Sequence, residues 1–370
     1  MRRPGGAGAD PGHDRGQFRP AAAKLLRQNL RDERQRLEPS RACGVEPVDT
    51  DARRSNLARK RPKGVLAMGL ACVECALTGR AEHAPTAETY PEDQVRRFTF
   101  AAGGGLGRTL SAIHTPRATP APWKIVVITG APSWAEYWAP ALADLPSHRE
   151  MVVVDRPGYG ASEPVATIGD IALQAEALRP LLDAPRGQKV LLVGQSYGAA
   201  IASVMADANP GKVHGLVLMS GYFGEPGPTA RWLVDVGSRM LTVLPRDLRN
   251  AVREVSGQPS QLPLARRALA RLRVPVTVIH GDKDDFAPIE IAERLVSEVR
   301  ARIPMRFERV EGADHFLNDG PTEALLAAIE GCIPEPARPR LTLSSGLVAL
   351  LRRLAPRAEV ANVMSFEGQA

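Results

Sequence analysis

From about Val95 the chain alternates short β-branched apolar runs with longer Ala/Leu-rich stretches of helical period. This is the rhythm of an α/β protein built on a mainly parallel sheet. The apolar runs predict strands at Ile125–Thr129, Met151–Asp155, Val190–Val193, Leu216–Met219, Val276–His280 and Arg306–Val310. Helices are predicted between them over 136–144, 168–183, 198–208, 288–302 and 321–332. Ahead of these, Arg97–Phe100 and Thr109–His114 flank Gly103-Gly104-Gly105-Leu106-Gly107 and read as an antiparallel edge hairpin. The run GGGLGRT imitates a phosphate-binding loop, but it lacks the lysine and no helical pattern follows, so a turn is the better account.

Residues 222–273 interrupt the alternation with a Pro/Gly-punctuated, Arg-rich helical segment between two predicted strands. An insertion there lies over the carboxyl ends of the strands and is expected to form a small helical lid. Residues 1–94 are Pro/Gly/Arg-rich and aperiodic, and are expected to be a mostly disordered basic arm. Within it, Ala21–Leu37 forms at most a solvated helix. Residues 333–370 are expected to be a tail with a short amphipathic helix, LTLSSGLVALLRRLAP, that docks on the body by default.

The formal charge of +7 suggests a nucleic-acid partner until it is divided along the chain. Residues 1–64 hold 16 Lys/Arg against 8 Asp/Glu, so the remainder sums to −1 and the basic character belongs to the arm. No nucleic-acid partner is expected. Four cysteines, three of them in the arm, cannot make a disulfide framework, and no stretch reaches the roughly 18 apolar residues of a membrane span. A cytoplasmic location is expected. The alternative is export or envelope association if translation starts downstream and residues 60–80, basic then apolar, act as a signal. The lone pair Cys72 and Cys75 reads as incidental thiols. No metal-ligand spacing occurs, and neither a metal nor a cofactor is expected.

Candidate chemistry centres on Val190-Leu-Leu-Val-Gly194-Gln195-Ser196-Tyr197-Gly198-Ala199-Ala200, an apolar strand entering a small-residue helix through G-x-S-x-G. A serine hydroxyl is a poor nucleophile unless exposed, aimed and placed beside a base, and a sharp strand-to-helix turn supplies the exposure. Further on come Gly281-Asp282-Lys283-Asp284-Asp285-Phe286-Ala287-Pro288 and Val310-Glu311-Gly312-Ala313-Asp314-His315-Phe316. Asp155-Arg156-Pro157-Gly158-Tyr159-Gly160-Ala161-Ser162 bends sharply after a predicted strand, and Thr129-Gly130-Ala131-Pro132-Ser133-Trp134 follows another.

On these motifs the chain resembles the α/β-hydrolase family over about Val95 to Cys332, in the order serine, acid, histidine. The resemblance implies an α/β-hydrolase fold, a mainly parallel central sheet with helices on both faces and a small helical lid. It implies a serine hydrolase of the carboxylesterase-like branch with Ser196 as nucleophile, His315 as base and Asp284 as acid; Asp282 and Asp285 compete for the last role. His280 reads as a packed core histidine. The loop Thr129 to Trp138 is similar to the family's HG-T-P-G-S-A-x-x-W loop, which makes the Ala131 and Tyr197 N–H groups the oxyanion hole. Thr129 stands where histidine is usual, and Ser133 and Trp134 replace Gly and Ser. Aromatics on these loops, Trp134, Tyr222, Phe223 and Phe286 among them, suggest an apolar pocket for a small-molecule substrate. A cofactor-free lyase or C–C hydrolase on the same triad, or a silent binding protein, are the rival readings. Epoxide- and halide-processing relatives carry an aspartate at the elbow, and Ser196 argues against both. Oligomeric state is not set by the sequence.

Overall fold

The computed structural model describes residues 89–334 apart from Gly320. The expectations for residues 1–88 and for the tail helix lie outside the described residues. The eight strands are β1 (Arg96–Ala101), β2 (Thr109–His114), β3 (Trp123–Ile128), β4 (Arg149–Val154), β5 (Lys189–Gln195), β6 (Gly215–Met219), β7 (Val276–Gly281) and β8 (Met305–Val310). They form one sheet in the order β1-β2-β4-β3-β5-β6-β7-β8. β2 runs antiparallel to both β1 and β4, and every later pairing is parallel. β5 is central: Gly194 sits opposite Ile128 of β3 on one side and Leu218 of β6 on the other.

The helices are α1 (Ala139–Ala143), α2 (Ile171–Leu178), α3 (Tyr197–Ala208), α4 (Pro228–Arg239), α5 (Arg246–Gly257), α6 (Leu262–Leu269), α7 (Ile289–Val299) and α8 (Thr322–Glu330). Strands buried on both faces read as near-continuous apolar runs, as those of β3 to β7 do. One face is covered by apolar residues of α2, α3, α6 and α7, and the other by those of α1 and α8. Among the described residues no helix is long and apolar enough to cross a membrane.

Two predicted helices are shorter than expected because proline intervenes. The segment 168–183 starts where the Asp170 carboxylate accepts the Ala172 and Leu173 N–H groups at 2.8 and 3.1 Å. It stops at Leu178 and passes into a 3₁₀ turn, Arg179–Leu182, where Pro180 cannot continue the α-helical ladder. The segment 136–144 likewise divides into a 3₁₀ turn, Ala135–Trp138, and α1, with Pro140 in the first turn. The glycine run is a hairpin turn joining β1 to β2, and it is seated on α2: the Gly103 N–H donates to the Ala177 carbonyl at 2.9 Å.

The segment 222–273 is not one unit. α6 lies in the body, its Ala265, Ala268 and Leu269 buried in the cluster that also holds α3. α4 and α5 form the outer pair. The buried positions of α5 are Asp247, Asn250, Ala251 and Glu254, so its inward face is mostly polar. Asn250 donates to the carbonyls of Gly158 and Val165 at 2.7 and 3.0 Å, and Arg246 to that of Gly160 at 3.0 Å. These contacts seat α5 on the turn that follows β4.

Because Asp170 satisfies two otherwise open N–H groups of α2, Asp170→Ala is expected to lower unfolding free energy by about 1 kcal/mol. Urea denaturation checks this, with an unchanged slope as the sign that only stability has moved.

Candidate active site

At the carboxyl end of β5 the chain turns within a single residue. Ser196 lies between Gln195 and Tyr197 with φ 51° and ψ −120°, a conformation that non-glycine residues seldom hold. Surrounding contacts over-determine it. The Ser196 N–H donates to the Met219 carbonyl at 2.9 Å, and the Ser196 carbonyl accepts from the Ala199 and Tyr222 N–H groups at 3.0 and 3.2 Å. The flanking glycines are sterically required. A Cβ at Gly198 would fall 2.3 Å from the Ile128 carbonyl oxygen, and one at Gly194 would fall 2.7 Å from the Ala199 Cα.

Two loops, after β7 and β8, bring the predicted polar residues to this turn. Ser196 Oγ lies 2.9 Å from His315 Nε2, and His315 Nδ1 lies 2.8 Å from Asp284 Oδ2. The other Asp284 oxygen accepts the Phe286 and Ala287 N–H groups at 3.0 and 2.8 Å. The competing carboxylates face elsewhere: Asp282 accepts the Gly312 N–H at 2.8 Å, and Asp285 accepts the Thr229 hydroxyl. Burial by itself would raise the Asp284 carboxyl, but hydrogen bonds from His280, His315 and the Ala287 N–H outweigh it and hold the group well below the usual carboxylate range.

His280 is buried, as its place at the end of β7 suggests, yet it also meets the acid. Its Nε2 lies 2.7 Å from the Ala287 carbonyl and 3.2 Å from Asp284 Oδ2, so it braces the acid loop. Phe286 stacks on the His315 ring with centroids 5.1 Å apart, and Phe316 meets both edge-on.

The loop after β3 passes directly over the serine. A Cβ on Gly130 would sit 3.0 Å from Ser196 Cβ and 3.5 Å from its Oγ, so the chain passes close to the hydroxyl at the residue before Ala131. Tyr197 opens α3, whose first N–H groups are free of intrahelical partners by geometry. Trp134 is buried and tilted onto Tyr137 at 4.8 Å. Tyr222 is buried beside Ser196; burial pushes its phenol up, and its hydroxyl has no hydrogen-bond partner among the described residues. Phe223 belongs to the apolar cluster around α3.

Sequence reading assigned the D-R-P-G-Y-G-A-S turn a bend and nothing more. In the structure its first two residues hold the loop beside Ser196. Asp155 accepts the Ala135 N–H at 2.7 Å and pairs with Arg97 at 2.9 Å. Arg156 donates from Nε to the Thr129 carbonyl at 2.8 Å and from Nη2 to the Gly130 carbonyl at 2.6 Å. It also forms a two-pronged pair with Glu254 of α5, both contacts at 2.9 Å. A further missed contact runs through Gln195, which accepts from Trp138 Nε1 at 3.2 Å and donates to Asn318 in the loop after His315. Among the described residues no group of three or more His, Cys, Asp or Glu side chains is arranged to hold a metal ion.

Residues 124–266 match the family described as the alpha/beta hydrolase fold. Over 205 residues the chain is 28% identical to the 2-hydroxy-6-oxononadienedioate/2-hydroxy-6-oxononatrienedioate hydrolase of Paraburkholderia phymatum, a match that covers 45% of this chain and 71% of the relative. A Pseudomonas putida hydrolase of the same name is 26% identical over 208 residues, covering 46% and 73%. The fold is shared with a lipase-esterase related protein from Clostridium acetobutylicum, with a TM-score of 0.50, 15% identity and coverage of 60% of this chain and 99% of that one. A thermophilic esterase from Thermogutta terrifontis gives a TM-score of 0.50 at 18% identity, covering 64% and 97%. The chain has the α/β-hydrolase fold, and the matched segment spans β3 through most of α6.

The depressed Asp284 carboxyl gives a pH signature. A group whose folded pKa lies below its unfolded value of about 3.9 contributes stability that is fully present above that value and is lost as pH falls through the folded one. The difference in unfolding free energy between the wild type and Asp284→Asn is therefore expected to be constant near neutrality and to shrink below about pH 4. Urea midpoints measured across pH 7 to 3 check it; a difference that widens toward low pH would contradict the assignment.

Proposed function

We propose that the protein is a serine hydrolase that cleaves an ester, thioester, lactone or amide of an apolar small molecule through an acyl-enzyme intermediate. The observation that carries this reading is the hydrogen-bonded line from Ser196 through His315 to Asp284, set at a strained elbow. In the first step His315 takes the Ser196 proton as Oγ attacks the carbonyl carbon. The Ala131 and Tyr197 N–H groups receive the charge that develops on the carbonyl oxygen. Asp284 keeps the His315 Nδ1 proton in place and stabilises the imidazolium, which then protonates the leaving group. Water enters, gives a proton to His315 as its oxygen attacks the acyl carbon, and His315 returns that proton to Ser196 Oγ as the acyl–Oγ bond breaks.

Support for an uncharged acyl portion comes from the balance of buried charge. Among the described residues Arg156 is the only buried Lys or Arg, and its charge is matched by Glu254. A substrate carboxylate brought deep into the site would find no unmatched buried cation there, while Phe286, Tyr222 and Trp134 offer aromatic surface.

A second reading is C–C bond hydrolysis, favoured because the two curated relatives are named as hydrolases of 2-hydroxy-6-oxo dienedioates. The same three residues would serve it. A panel of p-nitrophenyl esters of graded chain length, with a lactone, a peptide and a 2-hydroxy-6-oxodienoate included, separates the two. Ester turnover that is strongest for an apolar acyl chain supports the first reading, and exclusive turnover of the dienoate overturns it.

Ser196→Ala is expected to abolish turnover and fluorophosphonate labelling with little change in thermal midpoint, since the hydroxyl contributes little packing. More than a few per cent residual activity, free of contaminant, would sink the nucleophile. Asp284→Asn is expected to lower kcat by about 10⁴-fold, with far smaller losses for the same change at Asp282 or Asp285. A larger loss at either neighbour would move the acid to that position.

A further inference from the structure

The peptide unit that would supply one oxyanion donor joins the Gly130 carbonyl to the Ala131 N–H. A trans peptide is planar, so these two groups point in opposite directions, and whatever fixes one aims the other. The Gly130 carbonyl is fixed by Arg156 Nη2 at 2.6 Å. The preceding carbonyl, that of Thr129, is fixed by Arg156 Nε at 2.8 Å. One guanidinium thus grips two successive peptide units of the loop that crosses Ser196. A charged donor on the carbonyl also polarises the peptide, which strengthens the N–H at its other end as a donor.

The guanidinium is itself held on every side. Its Nη1 donates to Gln174 Oε1 at 2.8 Å, and Nη1 and Nη2 grip the two oxygens of Glu254. Its plane lies against the rings of Tyr159 and Tyr197, with centroids at 4.6 and 5.0 Å. Glu254 in turn accepts from the Tyr159 hydroxyl at 2.8 Å, the Thr167 hydroxyl at 2.6 Å and Gln174 Nε2 at 2.9 Å. Both side chains of the pair are completely shielded from solvent. A salt bridge this deep is weak evidence of added stability, because desolvation offsets most of its attraction. Its geometric consequence is a fixed orientation for the loop.

We propose that Arg156 is a positioning residue for the oxyanion hole, aiming the Ala131 N–H at Ser196 by holding the Gly130 carbonyl from behind, and that Glu254 makes this hold depend on the seating of α5. Arg156 does for the oxyanion donor what Asp284 does for His315. It touches no reacting atom. The inference rests on the reading of Ser196 and Ala131 given above.

The test is steady-state kinetics of the full chain on its best p-nitrophenyl ester, with active sites counted by fluorophosphonate titration. Arg156→Lys keeps the charge but replaces five donors spread over three nitrogens with three on one, so it cannot hold both carbonyls, Gln174 and both Glu254 oxygens in place. It is expected to lower kcat per titrated site by about 10²-fold, the lower end of the loss for one oxyanion donor, with KM little changed. The affinity of an alkyl boronic acid, whose tetrahedral adduct occupies the oxyanion position, is expected to fall by a similar factor. Glu254→Gln, which keeps shape and most hydrogen bonds, is expected to lower kcat by about tenfold with the same split. It carries the test alone if Arg156→Lys does not fold. A purely structural role would reduce the titratable fraction and the thermal midpoint while leaving kcat per site and boronate affinity at wild-type values, and that result overturns the proposal. Failure of the wild type to label at Ser196 would instead overturn the underlying reading.

Discussion

The buried pair of Arg156 and Glu254 is the contact on which the arrangement around Ser196 depends. Placing two ions out of reach of water costs several kcal/mol for each, and their attraction compensates only where geometry and supplementary hydrogen bonds are good. Here the carboxylate accepts from Arg156, Tyr159, Thr167 and Gln174, and the guanidinium donates to Glu254, Gln174 and two main-chain carbonyls. Burial works against the charge of Arg156, yet the Glu254 carboxylate more than offsets it and keeps the guanidinium above its ordinary range. Removing either partner leaves the other uncompensated. Three stretches of chain distant in sequence, the loop after β3, the run from the turn after β4 through Thr167 into α2, and α5, therefore meet at one charge pair.

The elbow depends on a different constraint, close approach without side chains. β5 lies in the middle of the sheet with apolar layers on both faces, so it cannot shift to relieve strain at its end. Gly194 and Gly198 let α3 return against β3 and β5 at a distance no Cβ would permit. The unusual backbone of Ser196 is the geometric result. His315 and Asp284 arrive on loops after β8 and β7, both from the same carboxyl edge of the sheet.

Much of this was legible in the sequence because it is carried by local pattern. The runs of β3, β4, β5, β6 and β7 are continuous and apolar, and each predicted strand falls within a residue or two of the observed one. Ser196, Asp284 and His315 lie in short motifs whose order is fixed along the chain, and the structure brings all three within hydrogen-bond reach. Which of three nearby aspartates reaches His315 is visible only in space, where Asp284 does. What was not legible is polar and non-local. The inward face of α5 carries Asp247, Asn250 and Glu254 beside Ala251, and hydrophobic periodicity gives no signal for those polar positions. Arg156 and Glu254 are 98 positions apart, and nothing in either neighbourhood announces the other. The inner division of the segment 222–273 was not legible either: its Pro and Gly residues cluster at 224–228 and recur sparsely afterwards, and they do not show that its last helix is core and its middle one is tethered by hydrogen bonds.

That tether bears on exchange of parts between members of the family. An insertion between two strands is, in principle, a module that can be swapped to alter selectivity while the sheet stays intact. Here the module brings the counter-ion of a body residue. A transplanted helix pair lacking a carboxylate at the place of Glu254 would strand the guanidinium in a dry interior, and water or a rearranged loop would have to fill the gap. Successful chimaeras of this chain would therefore need to exchange Arg156 together with the insertion, or to graft the acid along with the new surface.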